Sequence, residues 1–442
     1  MKKIYDLVVI GGGTSGCAAA YISGTLGLKT LLIERNSFLG GAITSNLVIP
    51  VMKTGNNLIN TGFYKTFAMK LSEIGGQVTY QDNIGWFNPE LAKIVLDKMM
   101  QDANVDVRLN TEVTNVKIDG NHIAKLNINA TTLSAYNYSI YGDNNSLSFD
   151  NVLSVCIEAK YIVDATGNAD FCKKINCAML DDSTDFQPMS LRFLMSGVNV
   201  EYFGDWLTEI DKDRDVTTFE HINDVPHLST AYTWDKDRKW ALSSIFDKAV
   251  ADNILKDEDR NYFQVFTVAG MPGTVAFNCP RIVENLNPNM TQDVTKALID
   301  GRASIYRIAE FCKKCLPGFE KAFISNISDE IGIRVSNRVK GKYVYTIDDL
   351  RSGKKFENPA LISNYPVDIH SKDRDGSTLE TNGEYQLPVE SLMSADYDNL
   401  FVAGRCLSAD YMAQGALRVQ ANCFSMGEAV ARYVHKLLNS QV

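Results

Sequence analysis

The chain has 442 residues, 45% of them hydrophobic and 22% charged, and its 44 Lys and Arg against 53 Asp and Glu leave a net charge of −9. That balance excludes an intrinsically disordered chain. It also argues against a nucleic-acid partner or an anionic membrane surface, which select a basic face. No apolar run approaches the roughly 18 residues of a membrane span, and the length suggests two domains.

Ile4 to Ile10 reads as a buried strand rather than a secretion signal, because the apolar stretch is short and runs straight into glycines. Gly11-Gly12-Gly13-Thr14-Ser15-Gly16 follows, then a helix of small residues from Cys17, a second buried strand from Leu28 to Ile33, and Glu34. Strand, G-x-G-x-x-G, helix, strand and acid in this order form a dinucleotide-binding fingerprint. Gly11 permits the tight turn, Gly13 lets the backbone approach a pyrophosphate, and Gly16 allows close helix–strand packing. The helix start at Thr14 and Ser15 offers free N–H groups and the positive end of the helix dipole. Glu34 suits ribose hydroxyls and disfavours a 2′-phosphate, so NADP is not expected here. The fingerprint by itself leaves FAD and NAD open.

Further along, Asn88-Pro89-Glu90 is a helix start, with Asn as N-cap, Pro at the first helical position and an acid in the first turn. That helix is expected to reach about Gln101. Val105 to Leu109 and Glu112 to Ile118 are strand-like, and residues 124–160 read as a strand-rich excursion with a polar turn at Tyr141-Gly142-Asp143-Asn144-Asn145. Residues 204–260 are charged and weakly patterned, as in Asp211-Lys212-Asp213-Arg214-Asp215. They suggest a solvated surface excursion or, on a sharper reading, a cover over the active site. Nine scattered cysteines point to a reducing cytoplasm. Cys312 and Cys315 are one CxxC pair, too few for a four-ligand metal site, so they are read as structural and no metal is expected.

Several segments carry a resemblance. Glu34-Arg35 with Leu39-Gly40-Gly41-Ala42-Ile43-Thr44, the Tyr161-to-Asp164 strand ending in Ala165-Thr166-Gly167, and Asn399 to Gly404-Arg405 followed by Gly415-Ala416 resemble the nucleotide motifs of glutathione-reductase-like flavoproteins. Together with Gln187-Pro188-Met189-Ser190-Leu191-Arg192, Asn278-Cys279-Pro280-Arg281 and Ile331-Gly332-Ile333-Arg334, they resemble the bacterial FAD-dependent oxidoreductase family over nearly the whole chain. The resemblance implies FAD as cofactor. It assigns the listed glycines, Arg35, Ala42, Thr44, Ala165, Thr166, Arg405 and Ala416 to its binding, with the segment around Val113 reaching the adenine. The implied fold is α/β: a Rossmann-type FAD-binding domain with a parallel sheet, discontinuous over residues 1–190 and 396–442, and an inserted α+β substrate domain over 191–395. Three positions depart from the pattern. Gly404-Arg405 replaces a common Gly-Asp, Arg334-Val335-Ser336-Asn337-Arg338 replaces Arg-Glu-Ser-Arg-Arg, and Ala421-Asn422-Cys423 replaces Pro-Thr-Cys. No second glycine fingerprint follows a strand, and the CxxxxC of dithiol reductases is absent, so an NAD(P)H domain and a dithiol relay are not expected.

Hydride chemistry needs a proton acceptor and positive charge near the flavin. Of five histidines, His370 stands out, because strand alternation in Asp368-Ile369-His370 puts a carboxylate beside the imidazole, which should raise its basicity. Arg334 and Arg338, four apart, share a face in helix or extended chain and suit an anionic substrate or the charge of the reduced flavin. Gln187, Met189 and Arg192 are expected to line the pocket. The functional expectation is hydride transfer between FAD and a small organic substrate, with an outside electron donor or acceptor. The alternative is a non-redox enzyme, hydratase- or lyase-like, that uses FAD structurally. A homo-oligomer stays open.

Overall fold

A run of Val, Ile and Leu fills both faces of the first strand, Lys3–Ile10, where Leu7, Val8 and Val9 are fully buried. Such a strand belongs at the centre of a parallel sheet. In the computed structural model, which describes residues 3–54, 59–130, 155–180, 186–233, 241–260, 262–282, 284–370, 377–379 and 383–440, it pairs in parallel with Thr30–Ile33 on one side and Val155–Asp164 on the other. Asp106–Arg108 extends the sheet beyond Thr30–Ile33, and Leu400–Val402 pairs with the end of Val155–Asp164. Through Leu400–Val402 the chain returns to this sheet after residue 395. An antiparallel hairpin, Thr111–Asp119 with His122–Ala130, completes the seven strands. The polar turn expected at Tyr141–Asn145 lies outside the described residues.

Two helices lie together against the sheet. Thr14–Thr25 packs on the last helix, Gln420–Asn439, so closely that a Cβ on Gly427 would stand 2.0 Å from the Ser15 carbonyl oxygen. The helix Pro89–Asp102 starts where the sequence places it: the Asn88 side chain accepts from the N–H groups of Glu90 at 2.9 Å and Leu91 at 3.2 Å.

A second core rests on a six-stranded antiparallel sheet ordered Thr217–Ile222, Val225–Thr233, Tyr262–Thr267, Val275–Phe277, Phe193–Ser196, Phe323–Ile327. The helix Thr291–Cys315 buries Ala297, Ile305, Ile308 and Phe311 against it. Phe193 and Phe277 stack at 4.3 Å between ring centres in the middle. Cys312 lies in this core and burial pushes both its thiol and that of Cys315 up, which fits a structural pair.

Two expectations change. Of the stretch 204–260, the described residues 204–233 and 241–260 are built into the second domain. Its Thr217–Ile222/Val225–Thr233 hairpin, turning through Asn223 and Asp224 at φ 50° and 61°, forms the sheet edge, and Leu228 is fully buried. An Asn-Asp pair supports this left-handed turn, a signal the surrounding charge obscured. The second domain also ends earlier than residue 395. Its core is drawn from residues between Met189 and Ile333, whereas Tyr345, Leu361, Tyr385 and Leu387 are buried with the first domain's helices.

Candidate active site

The site begins at the carboxyl ends of the parallel strands, where α/β sheets bind ligands. Gly11 takes φ 99° and turns the chain out of the first strand. A Cβ on Gly16 would lie 1.8 Å from the Gly11 carbonyl oxygen, so only glycine lets the helix start so close to the strand. At Gly13 the nearest atom to a Cβ would be the Gly41 Cα at 3.9 Å, so the backbone there borders open space. The helix that follows has no side-chain cap and no acid in its first turn. The N–H groups of Thr14 and Ser15 therefore face a cavity with nothing to compete with a diphosphate.

Glu34 is 7% exposed and accepts from the Gly12 N–H at 2.6 Å and the Asn36 N–H at 2.7 Å. Burial pushes its carboxyl up despite these bonds. Each oxygen retains a lone pair for a ribose hydroxyl. Val113 lines the cavity nearby, and its carbonyl accepts from Lys174 Nζ, so this wall is a lysine-braced strand. Arg35 lines the cavity beside Glu34, and its guanidinium pairs with Glu330 at 2.9 Å and Asp170 at 3.8 Å, which line it too. Glu330 also accepts from Ser45 Oγ at 3.2 Å and, through its backbone oxygen, from Asn46 at 2.9 Å, which ties the glycine-pair loop to the second domain.

The cavity holds about 1120 Å³ and continues past Ala165, Thr166, Gly167, Gly404 and Arg405 to Asp368 and His370. This exceeds the roughly 300–1,000 Å³ of ordinary small-molecule sites. Arg405 is part of the wall. It donates to the Ile333 carbonyl and, at 3.1 Å, to Asn168 Oδ1, and burial lowers its pKa. Gly167 admits it, since a Cβ there would stand 2.7 Å from its Nη2. The last helix, Gln420–Asn439, opens here without a side-chain cap, so a second helix N-terminus faces the cavity through Val419 and Gln420.

At the far end, His370 Nε2 stands 3.2 Å from Asp368 Oδ1, with both side chains mostly buried. The pair follows the strand alternation expected from sequence, but its electrostatics do not. Burial, then the charges of Arg334 and Arg281, drive the imidazole down to about 3 and outweigh the Asp368 carboxylate. The ring is therefore neutral at neutral pH, donating Nε2–H to Asp368, and its Nδ1 has no partner among the described residues. Burial alone would raise the Asp368 carboxyl. The bond from His370 and the charges of Arg418 and Arg334 overcome that and hold it below the usual range.

Several assigned residues lie elsewhere. Arg334 lines the cavity, but Arg338 does not. Arg338 is buried on the other side of its irregular segment and donates to the Ala409 carbonyl at 2.9 Å, because the segment is neither helix nor regular strand and the two side chains diverge. Gly415 and Ala416 are packed against Ile369 and the core and do not reach the cavity. Arg418, Val419 and Gln420 take that wall instead. Gly40 and Thr44 shape the loop from behind, with Gly40 N–H donating to the Gly12 carbonyl at 2.8 Å and Thr44 Oγ1 to the Leu39 carbonyl at 2.8 Å. Of the segment leading into the second domain, Arg192 lines the cavity, and Gln187 Oε1 stands 3.3 Å from the His370 N–H. Sequence reading missed Tyr262 and the role of Arg281, whose guanidinium lies 3.5 Å over the Tyr262 ring. An aromatic beside an arginine in space leaves no trace in a sequence where they stand nineteen residues apart.

Residues 6–441 match the family described as FAD dependent oxidoreductase. Among curated proteins, ferredoxin–NADP reductase 3 of Lysinibacillus sphaericus is 51% identical over 43 residues, 10% of this chain and 12% of that protein. Mitochondrial dihydrolipoyl dehydrogenase of Caenorhabditis elegans is 46% identical over 52 residues, 12% of this chain and 10% of that protein. These matches span about a tenth of the curated relatives' length. Among solved structures, a geranylgeranyl bacteriochlorophyll reductase-like protein of Thermoplasma acidophilum aligns over 100% of this chain and 80% of its own at 14% identity and a TM-score of 0.48. The p-nitrophenol 4-monooxygenase PnpA of Pseudomonas putida aligns over 100% and 82% at 11% identity and a TM-score of 0.46.

Proposed function

Since the chain belongs to the FAD-dependent oxidoreductase family, and is a flavin-dependent oxidoreductase by that membership, we propose that it moves a hydride between bound FAD and a small organic substrate held between its two cores. The observation that carries this reading is the continuity of the cavity. The same space of about 1120 Å³ touches Gly13, Glu34, Gly41, Thr166, Arg334 and His370. The uncapped N–H groups of Thr14 and Ser15 suit the diphosphate, the Glu34 carboxylate suits the ribose, and the backbone at Gly13 leaves the approach open. FAD, when bound, supplies the two-electron partner for the hydride.

The chain's own residues do the rest. With the hydride going to FAD, the proton on the substrate's adjoining heteroatom would need an acceptor. His370 Nδ1, on a neutral ring and without a partner among the described residues, is that atom, and Asp368 holds the ring from the Nε2 side. The walls from the second domain, Tyr262, Phe266 and Ile331, exclude water from this end. In the reverse direction the same histidine returns the proton. An outside electron carrier closes the cycle, and the expected setting is the cytoplasm, which suits nine free cysteines. Among the described residues no helix is long and apolar enough to cross a membrane.

Anaerobic addition of candidate organic acids, alcohols and amines to the flavin-loaded protein tests the reading. Bleaching of the oxidised flavin spectrum by a substrate supports it. Product formation with an unchanged spectrum overturns it in favour of a non-redox enzyme with structural FAD.

A further inference from the structure

The far end of the cavity holds more positive charge than the protein balances. Arg192, Arg334 and Arg418 line it, and Arg281 stacks on Tyr262 in its wall. Arg418 has a carboxylate partner, Asp368, at 3.2 Å. Arg334 Nη1 donates only to neutral groups, the Pro188 carbonyl and, at 2.9 Å, Ser190 Oγ. Arg192 is 9% exposed, and its Nε has no partner among the described residues. Neither have Nε and Nη2 of Arg281, nor Nε of Arg418. Among the described residues, four guanidinium groups thus gather at this end around one carboxylate, Asp368, and the imidazole beside it, His370, is neutral.

An uncompensated charge in such surroundings is costly, and buried guanidinium groups are kept where something supplies the counter-charge. The dinucleotide cradle of Thr14, Ser15 and Glu34 is made by other residues. The planar forks of these arginines match the paired oxygens of carboxylates and phosphates. A neutral ligand leaves the imbalance in place. A monoanion leaves two positive charges.

We propose that this end of the cavity is a binding site for a small organic acid with two or more anionic groups, clamped by Arg192 and Arg334 and oriented by the Arg418–Asp368–His370 chain. That the acid is the substrate rests on the hydride-transfer reading above; that it binds does not. Its arrival has a consequence for the proton acceptor. Burial does most to keep His370 neutral and the charges of Arg334 and Arg281 add to it; an anionic ligand offsets the arginine part, so the imidazole becomes more basic to that extent when the site is filled. The groups facing that ring are Asp368 on its own strand, Arg334, Arg281 and Arg418 from other segments.

The test is calorimetric titration of the purified full-length protein with succinate, citrate and inorganic phosphate, and with acetate and neutral glycerol as controls, while visible absorbance reports flavin content. A dianion or trianion is expected to bind with a sub-millimolar Kd, at least about tenfold tighter than acetate. Arg192→Gln should weaken it by at least about 30-fold with flavin content unchanged, and Arg192→Lys, which keeps the charge and loses the fork, by less. Succinate and citrate against phosphate separate carboxylate from phosphate recognition. If Arg192→Gln does not fold, Arg281→Gln and the salt dependence of binding carry the same test, since each predicts weaker binding. Three results overturn the proposal: no binding by any anion, binding of glycerol as tight as that of the dianions, or anion affinity within about twofold of the parent in the variants. Protein that binds the acid but takes up no FAD defeats the hydride-transfer reading alone. Flavin-loaded protein indifferent to every anion defeats this one alone.

Discussion

The two ends of the cavity are built by different means. At the proposed dinucleotide end, the groups on offer are backbone N–H groups of Thr14 and Ser15, a glycine loop and one acid, all within residues 11–34. At the acid end they are side chains from four distant segments, with Arg334 reaching Ser190 across 144 residues. The first end is rigid because its glycines are in contact with neighbouring backbone. The second is held by charge, and its groups are set against one another until a ligand balances them. Damage at the first end should therefore show as lost cofactor or lost fold, and damage at the second as lost chemistry with the flavin still in place.

The sharpest separation comes from His370. Replacing it with Gln removes the proton acceptor at Nδ1 but leaves the dinucleotide end untouched. The reductive half-reaction should slow by about 10²–10⁴, with flavin content unchanged in the visible spectrum. A rate within about twofold of the parent would remove His370 from the reaction and blur the contrast between the ends.

Gly16→Ala probes the other end. Its Cβ would sit 1.8 Å from the Gly11 carbonyl oxygen, a backbone atom that cannot swing aside. Overpacking of this kind costs about 3 kcal/mol. The protein should emerge with a lowered denaturation midpoint and little bound flavin, while anion binding in whatever folds is retained. Full flavin content at the parent's midpoint would show that the tight approach is not what shapes the cradle.

The contrast also explains what the sequence disclosed. Contiguous backbone sites leave contiguous motifs. Gly11 to Gly16, Glu34, the Asn88 cap and the Ala165-Thr166-Gly167 turn could each be read from a few letters, as could the Asp368–His370 alternation. The convergence of Arg192, Arg281, Arg334 and Arg418 could not, because antiparallel pairings such as Arg281 with Ser190 and the Ser190–Gly332 bridge bring the segments together only in three dimensions. The same limit misled two readings. Arg334 and Arg338 share a sequence spacing but not a face, since their segment is irregular. The carboxylate of Asp368 predicts a more basic imidazole, whereas burial and the charges of Arg334 and Arg281, whose approach to the ring no spacing discloses, reverse the sign.

That reversal has a pH signature. His370 is held near 3 in the fold, against an ordinary value of 6.5. Between these values the unfolded chain binds a proton that the native state refuses, so this residue makes stability fall as pH falls through that window and contributes no slope above it. The slope is about 1.4 kcal/mol per pH unit. From pH 7 to pH 5 the parent should lose about 2 kcal/mol relative to His370→Gln in parallel denaturant titrations. Asp368, depressed in the fold, adds its own loss only below its ordinary value of 3.8, outside this range. Parallel pH profiles for the two proteins would mean that the imidazole is not suppressed by its arginines.

The smallest effect belongs to Arg35, which borders the cavity beside the dinucleotide motif yet is paired with Glu330 at 2.9 Å and Asp170 at 3.8 Å, with its side chain 58% exposed. If the cradle works through backbone and Glu34, Arg35→Ala removes only two solvent-screened pairs, to Glu330 and Asp170, each worth less than about 1 kcal/mol and less still at high salt. Flavin affinity should stay within a few-fold of the parent. The reason is geometric: Glu330 keeps its bonds from Ser45 Oγ and Asn36 Nδ2, so the glycine-pair loop stays tied to the second domain without the arginine. A loss of flavin as large as that from Gly16→Ala would mean that a side chain, and not the backbone, governs the dinucleotide end.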